Sequence, residues 1–179
     1  MDDQFVADNY VNVGRWFTLL HRRSQQFVNE ACAQLELTFS EYIMLIRIFD
    51  HEGAKQDELA TLLCLDKAVV TRTINSLQKK GLIYREQDSS DRRVRHIYLT
   101  DYGKRQHIYL RNIIQKWVDY LVEDMSPEQI NFMIKGFDQL VTKAIACDIT
   151  KLAQNIPMDK PLPLSNHKVQ KGDINYAQE

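Results

Sequence analysis

Three arginines within four positions, Arg92, Arg93 and Arg95, follow the acidic and polar stretch Gln87-Asp88-Ser89-Ser90-Asp91. Guanidinium groups crowded on a short loop repel one another unless phosphates or a narrow, negative groove lie close by, so the chemistry they suggest is the binding of a polyanion. Asp91 can hold one of these guanidinium groups in a fixed bidentate pair and so preorganise the loop. Upstream, the segment from Lys67 to Lys79, turned at about 100° per residue, places Ala68, Arg72, Asn75 and Lys79 on one face and Val70, Thr73, Ile74 and Leu77 on the other. Val69, Thr71 and Ser76 flank the first face. A forked donor among small and amide neighbours suits base edges in a major groove, and the Val69 methyls suit a thymine methyl. The competing reading is a solvated charged surface with no partner.

The charge distribution bears on that choice. The chain of 179 residues carries a net charge of −1, yet residues 67–96 hold eight Lys and Arg against three Asp and Glu. A basic island in a neutral chain points to a polyanion met by one face. No GxSxG, Walker loop, HExxH or GxGxxG occurs, so an enzyme is not expected, nor is a cofactor. The cysteines Cys32, Cys64 and Cys147 are odd in number and lack CxxC spacing, which reads as reduced thiols. With no long apolar run and an acidic, polar beginning, the chain is expected to be cytoplasmic and off the membrane.

The elements that must position these residues follow from periodicity and caps. Residues 8–36 read as one amphipathic helix with Trp16, Leu20, Phe27, Ala31 and Leu35 on a stripe. Thr38-Phe39-Ser40-Glu41 forms a capping box opening a second helix to about Asp50. Gln56 to Leu63 gives a short third helix. Asp66 is placed to cap a fourth through Lys80, closed by Gly81. The period then shortens to two, predicting strands over 82–86 and 94–99 around the charged loop. Thr100 is expected to cap a long helix to about Asp124, and Ser126-Pro127-Glu128-Gln129 to start a last helix running through Leu152. Residues 155–179 hold three of the four prolines and read as an extension. In that extension Ile156, Leu162, Leu164 and Val169 are candidate anchors for an extended arm.

A short helix, a tight turn, a basic helix and a two-stranded hairpin in that order make a helix-turn-helix with a wing. Leu65 to Arg72, Leu77 to Ile83, Asp91-Arg92-Arg93 and Leu99 to Gly103 together resemble the signature of the MarR family of bacterial transcriptional regulators, over residues 8 to about 152. The resemblance implies a mainly α fold, a winged helix-turn-helix over 37–103 with a small β-hairpin wing, and a helical dimerisation region over 1–36 and 104–154. It also implies that a homodimer binds a pseudo-palindromic operator in double-stranded DNA, with Arg93 entering the minor groove and Asp91 as its partner. Val69 departs from the family's usual polar residue, and the tail has no counterpart in the common pattern. Independently of the family, the first helix and the last two carry apolar stripes too long for one winged domain to cover, and a two-fold partner buries them most simply.

Members of the family respond to phenolic ligands, oxidants or, in some branches, zinc. A small-molecule effector pocket would be lined by Trp16, His21, Tyr42, Ile46 and Tyr109, though an aromatic stripe at helical spacing is more often core. Cys32 reads as a buried inert thiol. Cys32, Glu41 and His107 make an incomplete zinc set, so no metal is expected; His51 and His96 read as isolated surface residues. The reading is therefore a sequence-specific transcriptional regulator, a repressor modulated by an effector. The alternative is a winged-helix protein-interaction module without sequence preference for DNA.

Overall fold

The computed structural model describes residues 3–156. Its elements run α1 (Asp3–Ala31), a 3-10 turn (Ala33–Leu35), α2 (Phe39–Asp50), α3 (Gln56–Leu63), α4 (Lys67–Lys79), β1 (Ile83–Gln87), β2 (Arg95–Leu99), α5 (Asp101–Arg105), α6 (His107–Val122), α7 (Pro127–Ile145) and α8 (Ile149–Gln154). Two compact units are formed, one ending at Phe132 and the other beginning at Met133. Among the described residues no helix is long and apolar enough to cross a membrane. The tail positions Leu162, Leu164 and Val169 lie outside the described residues, and Ile156 is exposed.

The apolar residues of the first unit form one core. Val28 from α1, Cys32 just after it, Tyr42, Leu45 and Ile48 from α2, Leu59 from α3, Val70, Ile74 and Leu77 from α4, Ile83 and Ile97 from the hairpin, and Leu110 from α6 are all buried in it. At roughly 1.5–3 kcal/mol for each fully buried aliphatic side chain, Val70, Ile74 and Leu77 are enough to fix which face of α4 points outward. The hairpin pairs Ile83 with Leu99 and Gln87 with Arg95 in antiparallel register. The chain before α3 extends this sheet locally: Gly53 N–H donates to the Ile97 carbonyl and Ile97 N–H to the Ala54 carbonyl, at 2.8 and 3.1 Å.

Three long helices expected from periodicity are each interrupted. The first ends at Ala31, and after the 3-10 turn Glu36 takes a left-handed φ of 52°. That reversal turns Leu37 back into the core beside Cys32. The helix expected from Thr100 to Asp124 breaks at Gln106, whose N–H bonds the Gly103 carbonyl three residues back at 3.0 Å. Gly103 lies against the backbone before β1: a Cβ there would stand 2.1 Å from the Leu82 carbonyl oxygen, so only glycine allows this approach. The last expected helix divides into α7 and α8, and Asp148 caps α8 by accepting from the Lys151 N–H at 3.0 Å. Both predicted capping boxes form, at Thr38/Glu41 and at Ser126/Gln129. Gly81 adopts φ 69°, the left-handed turn that ends α4. Asp66 occupies the N-cap position of α4, but its side chain makes no capping bond.

Glu41 does more than cap. It is 4% exposed, and its carboxylate accepts from Thr38 N–H at 2.8 Å, Thr38 hydroxyl at 2.9 Å, Ser76 hydroxyl on α4 at 2.6 Å and Lys80 ammonium at 2.8 Å. Lys80 also donates to the carbonyl of the left-handed Glu36. Burial pushes the Glu41 carboxyl up, but the bonds from Lys80, Ser76 and Thr38 together outweigh it and hold the group below its ordinary value. A carboxylate lowered on folding stabilises the fold above its unfolded pKa, and that stability is lost as pH falls through the lowered folded value. Glu41→Ala therefore removes about 2 kcal/mol at neutral pH by stranding Ser76 and Lys80, with a smaller difference from wild type in acid, as urea unfolding at the two pH values measures. Equal stability at neutral pH contradicts this role.

Candidate nucleic-acid interface

The predicted recognition face is open. Lys67, Ala68, Arg72, Asn75 and Lys79 are exposed, Val69 and Thr71 half-buried, and Val70, Thr73, Ile74 and Leu77 buried. Side chains from neighbouring elements lock the helix by both ends. At its start the Gln56 amide of α3 donates to the Thr71 hydroxyl, and Lys67 pairs with Asp57 of α3 at 3.0 Å across the turn. That ion pair is largely exposed and contributes little energy, but it fixes where the Lys67 charge sits. Toward the C-terminal end, Arg85 on β1 donates from Nη2 to Asn75 Oδ1 at 2.6 Å and from Nη1 to Gln78 Oε1 at 2.7 Å.

In the wing, Arg92, Arg93 and Arg95 are exposed, and among the described residues none of the three enters an ion pair. The guanidinium partnership expected of Asp91 is not what forms. Its carboxylate accepts from the backbone N–H of Arg93 at 2.9 Å, because two residues of loop bring that N–H within reach more directly than a flexible arginine head. The loop is built around Asp88 instead, whose Oδ1 accepts from the Ser90 N–H at 2.8 Å, the Asp91 N–H at 2.9 Å and the Ser90 hydroxyl. The run Asp-Ser-Ser-Asp is the sequence signal for such an Asx turn.

His96 is likewise not the isolated surface residue the sequence suggested. Its Nε2 meets Asp88 Oδ2 at 2.9 Å and its Nδ1 the Gly53 carbonyl at 2.7 Å, so the ring ties the wing loop to the turn between α2 and α3. Both partners only accept, and both bonds therefore form only with the imidazolium. The Asp88 carboxylate, then the Gly53 carbonyl, raise the His96 pKa against desolvation and, more weakly, the charge of Lys55. The Ser90 hydroxyl, then His96, hold Asp88 well below the usual carboxylate range. A histidine raised on folding lends stability that is complete below its unfolded value of about 6.5 and is lost as pH rises through the folded value. In an NMR titration His96 should titrate above that ordinary value and fall toward it in Asp88→Asn; a wild-type value at or below 6.5 contradicts the tie.

The five residues expected to line an effector pocket are not brought together. Tyr42 is buried and donates to the Leu110 carbonyl at 3.2 Å, and burial pushes its hydroxyl up to about 12. Ile46 is half-buried against the core, Trp16 is exposed, and His21 lies edge-on to Phe39. Tyr109 alone borders a cleft of about 360 Å³ between α1 and α6, lined also by Phe27, Glu30, Ala31, Asn112, Ile113 and Lys116. Its hydroxyl donates to the Ala31 carbonyl at 2.6 Å. Nor do Cys32, Glu41 and His107 converge: His107 Nε2 accepts from Arg111 at 2.7 Å and its ring stacks on Phe49, while burial pushes the Cys32 thiol up to about 11.

Sequence reasoning missed Arg85, Asp88 and His96. It also missed that Glu41, found as a cap, reaches α4.

The MarR family model matches residues 37–94, which contain α2, α3, α4 and most of the wing. The transcriptional regulator SarZ of Staphylococcus epidermidis is 29% identical over 152 residues, 78% of this chain and 99% of that protein. A crystal structure of MarR superposes with a TM-score of 0.68 at 28% identity, over 75% of this chain and 98% of that one. The Staphylococcus aureus MepR–DNA complex shares the fold, with a TM-score of 0.68 at 23% identity over 73% and 96% of the two chains. With the winged helix-turn-helix in place, residues 37–94 match the MarR family, and the chain is similar to MarR-type transcriptional regulators over about three quarters of its length.

Proposed function

We propose that the protein is a repressor that binds a pseudo-palindromic operator as a homodimer, with α4 in the major groove and the wing over the adjacent minor groove. The observation that carries this reading is the coincidence of an open α4 face bearing Arg72 and Lys79 with a wing whose three arginines are exposed and without ion pairs among the described residues. Bare cations on a loop held rigid from beneath are the arrangement that phosphates and a narrow groove reward. Arg72, with Ala68, Val69, Asn75 and Lys79, meets base edges. Lys67 and Thr71 lie at the helix start, and Arg92, Arg93 and Arg95 meet the backbone and minor groove, with Asp91 setting the Arg93 backbone.

Residues 37–103 form the DNA-binding part, and residues 1–36 with 104–154 supply the dimer contacts. Support for the dimer comes from apolar side chains left exposed on the helices: Trp16, Leu19 and Leu20 on α1, and Ile134, Leu140, Val141 and Ile145 on α7. A small-molecule effector takes the cleft between α1 and α6 beside Tyr109.

A gel shift with DNA from beside the protein's own gene, against a scrambled competitor, separates this reading from a protein-interaction module, which shows no preference. Arg72→Ala loses about 1–3 kcal/mol and flattens the preference, whereas Arg93→Ala weakens binding to all sequences and lowers the salt slope by about one. Wild-type operator affinity in either variant contradicts the assignment. Light scattering at micromolar concentration gives a dimer for the wild type, and Leu140→Asp, which places a charge in the proposed apolar contact, gives a monomer. A monomeric wild type refutes the dimer.

A further inference from the structure

Arginine carries five donors and no acceptor. When its guanidinium forks onto Asn75 and Gln78, the atoms facing it must be the two amide oxygens, Oδ1 at 2.6 Å and Oε1 at 2.7 Å. Arg85 stands opposite the fully buried Ile97 in the hairpin register, which puts its side chain on the packed face of the wing, toward α4. Asn75 and Gln78 are exposed and three residues apart, so they lie on one side of the helix, with Asn75 between Arg72 and Lys79. A free Asn or Gln reads adenine through two atoms, its oxygen accepting from N6 and its amino group donating to N7. That contact needs the same oxygen, and the Arg85 guanidinium takes one of its two lone pairs, fixes the amide plane and sets a positive donor beside the other, where a second donor, the adenine N6 amino group, would have to approach. The amino groups remain, and a cation on the oxygen of an amide polarises its N–H bonds and makes them stronger donors.

We propose that Arg85 is a specificity-determining positioning residue: by engaging the oxygens of Asn75 and Gln78 it makes the α4 face a donors-only surface, suited to guanine and thymine acceptors and to phosphate, and unsuited to two-point reading of adenine. Arg72, Asn75, Gln78 and Lys79 then present donors together, with the two amide oxygens directed to Arg85. The inference rests on the DNA-binding reading above. It adds that a residue outside the recognition helix sets which bases that helix accepts.

The test is selection of bound duplexes from a pool randomised across the operator found beside the protein's own gene, followed by competition binding and its salt dependence. Arg85→Met frees both amides, and adenine should gain about tenfold in relative affinity at the base pairs under α4, the scale of one two-point contact, while the salt slope is unchanged. Arg85→Lys keeps charge and stem without the planar fork and should shift preference in the same direction. In an Asn75→Ala/Gln78→Ala background, adding Arg85→Met should move nothing further. Unchanged base preference in both Arg85 variants overturns the proposal. So does a salt slope reduced by about one, which makes Arg85 a phosphate contact, or a shift that persists without the two amides. If the wild type itself does not distinguish the operator from scrambled DNA, the DNA-binding reading fails first and this proposal with it.

Discussion

A carboxylate that is 4% exposed must find a donor for each lone pair it turns inward, and Glu41 finds them in two segments: its own cap at Thr38, and the last turn of α4 with Ser76 and the C-cap residue Lys80. Apolar burial fixes which side of α4 faces outward, but packing alone tolerates small slides and rotations. The directional bonds from Ser76 and Lys80 remove that freedom by tying the helix to the start of α2. Since Lys80 also holds the carbonyl of Glu36, the end of the first helix is drawn into the same network. The position of the outward residues, down to Arg72 and Lys79, depends on this buried charge.

The same division of labour recurs across the basic surface. The side chains that brace it are bonded to one another, and the three wing arginines are left without ion pairs among the described residues. Thr71, Asn75 and Gln78 receive bonds from Gln56 and Arg85, while the wing loop is organised by Asp88 and Asp91 through backbone N–H groups and tied down through His96. None of these supports spends the positive charge of Arg92, Arg93 or Arg95. Had Asp91 paired with a guanidinium, one cation of the wing would have been neutralised before meeting a phosphate; by capping a backbone N–H it shapes the loop and leaves the charge free.

Apolar surface is distributed just as unevenly. The C-terminal half of α1 is packed through Phe27 and Val28, with Trp117 of α6 stacked on Phe27 and bonded to the Ser24 hydroxyl at 2.8 Å. Its preceding turns leave Trp16, Leu19 and Leu20 open, as α7 and α8 leave Ile134, Ile145, Ile149 and Leu152. Helices that long bury only part of their stripe within this one chain.

What the sequence by itself determined was much of what depends on neighbours along the chain, though not the wing loop, where Asp88 organises the turn and Asp91 holds a backbone N–H. The two capping boxes, the left-handed Gly81, the strands within one residue of their observed ends, and the outward face of α4 all follow from local periodicity and local hydrogen bonding. Tertiary structure decided what depends on residues far apart in sequence. The breaks at Gln106 and before Asp148 interrupt patterns that look continuous, and the first of them lies where Gly103 meets the Leu82 carbonyl. The partners of Glu41, His96 and Arg85 were invisible for the same reason: Ser76, Gly53 and Asn75 come within 3 Å of them only once distant segments have packed, and a polar side chain's role is set by which donor or acceptor it meets there.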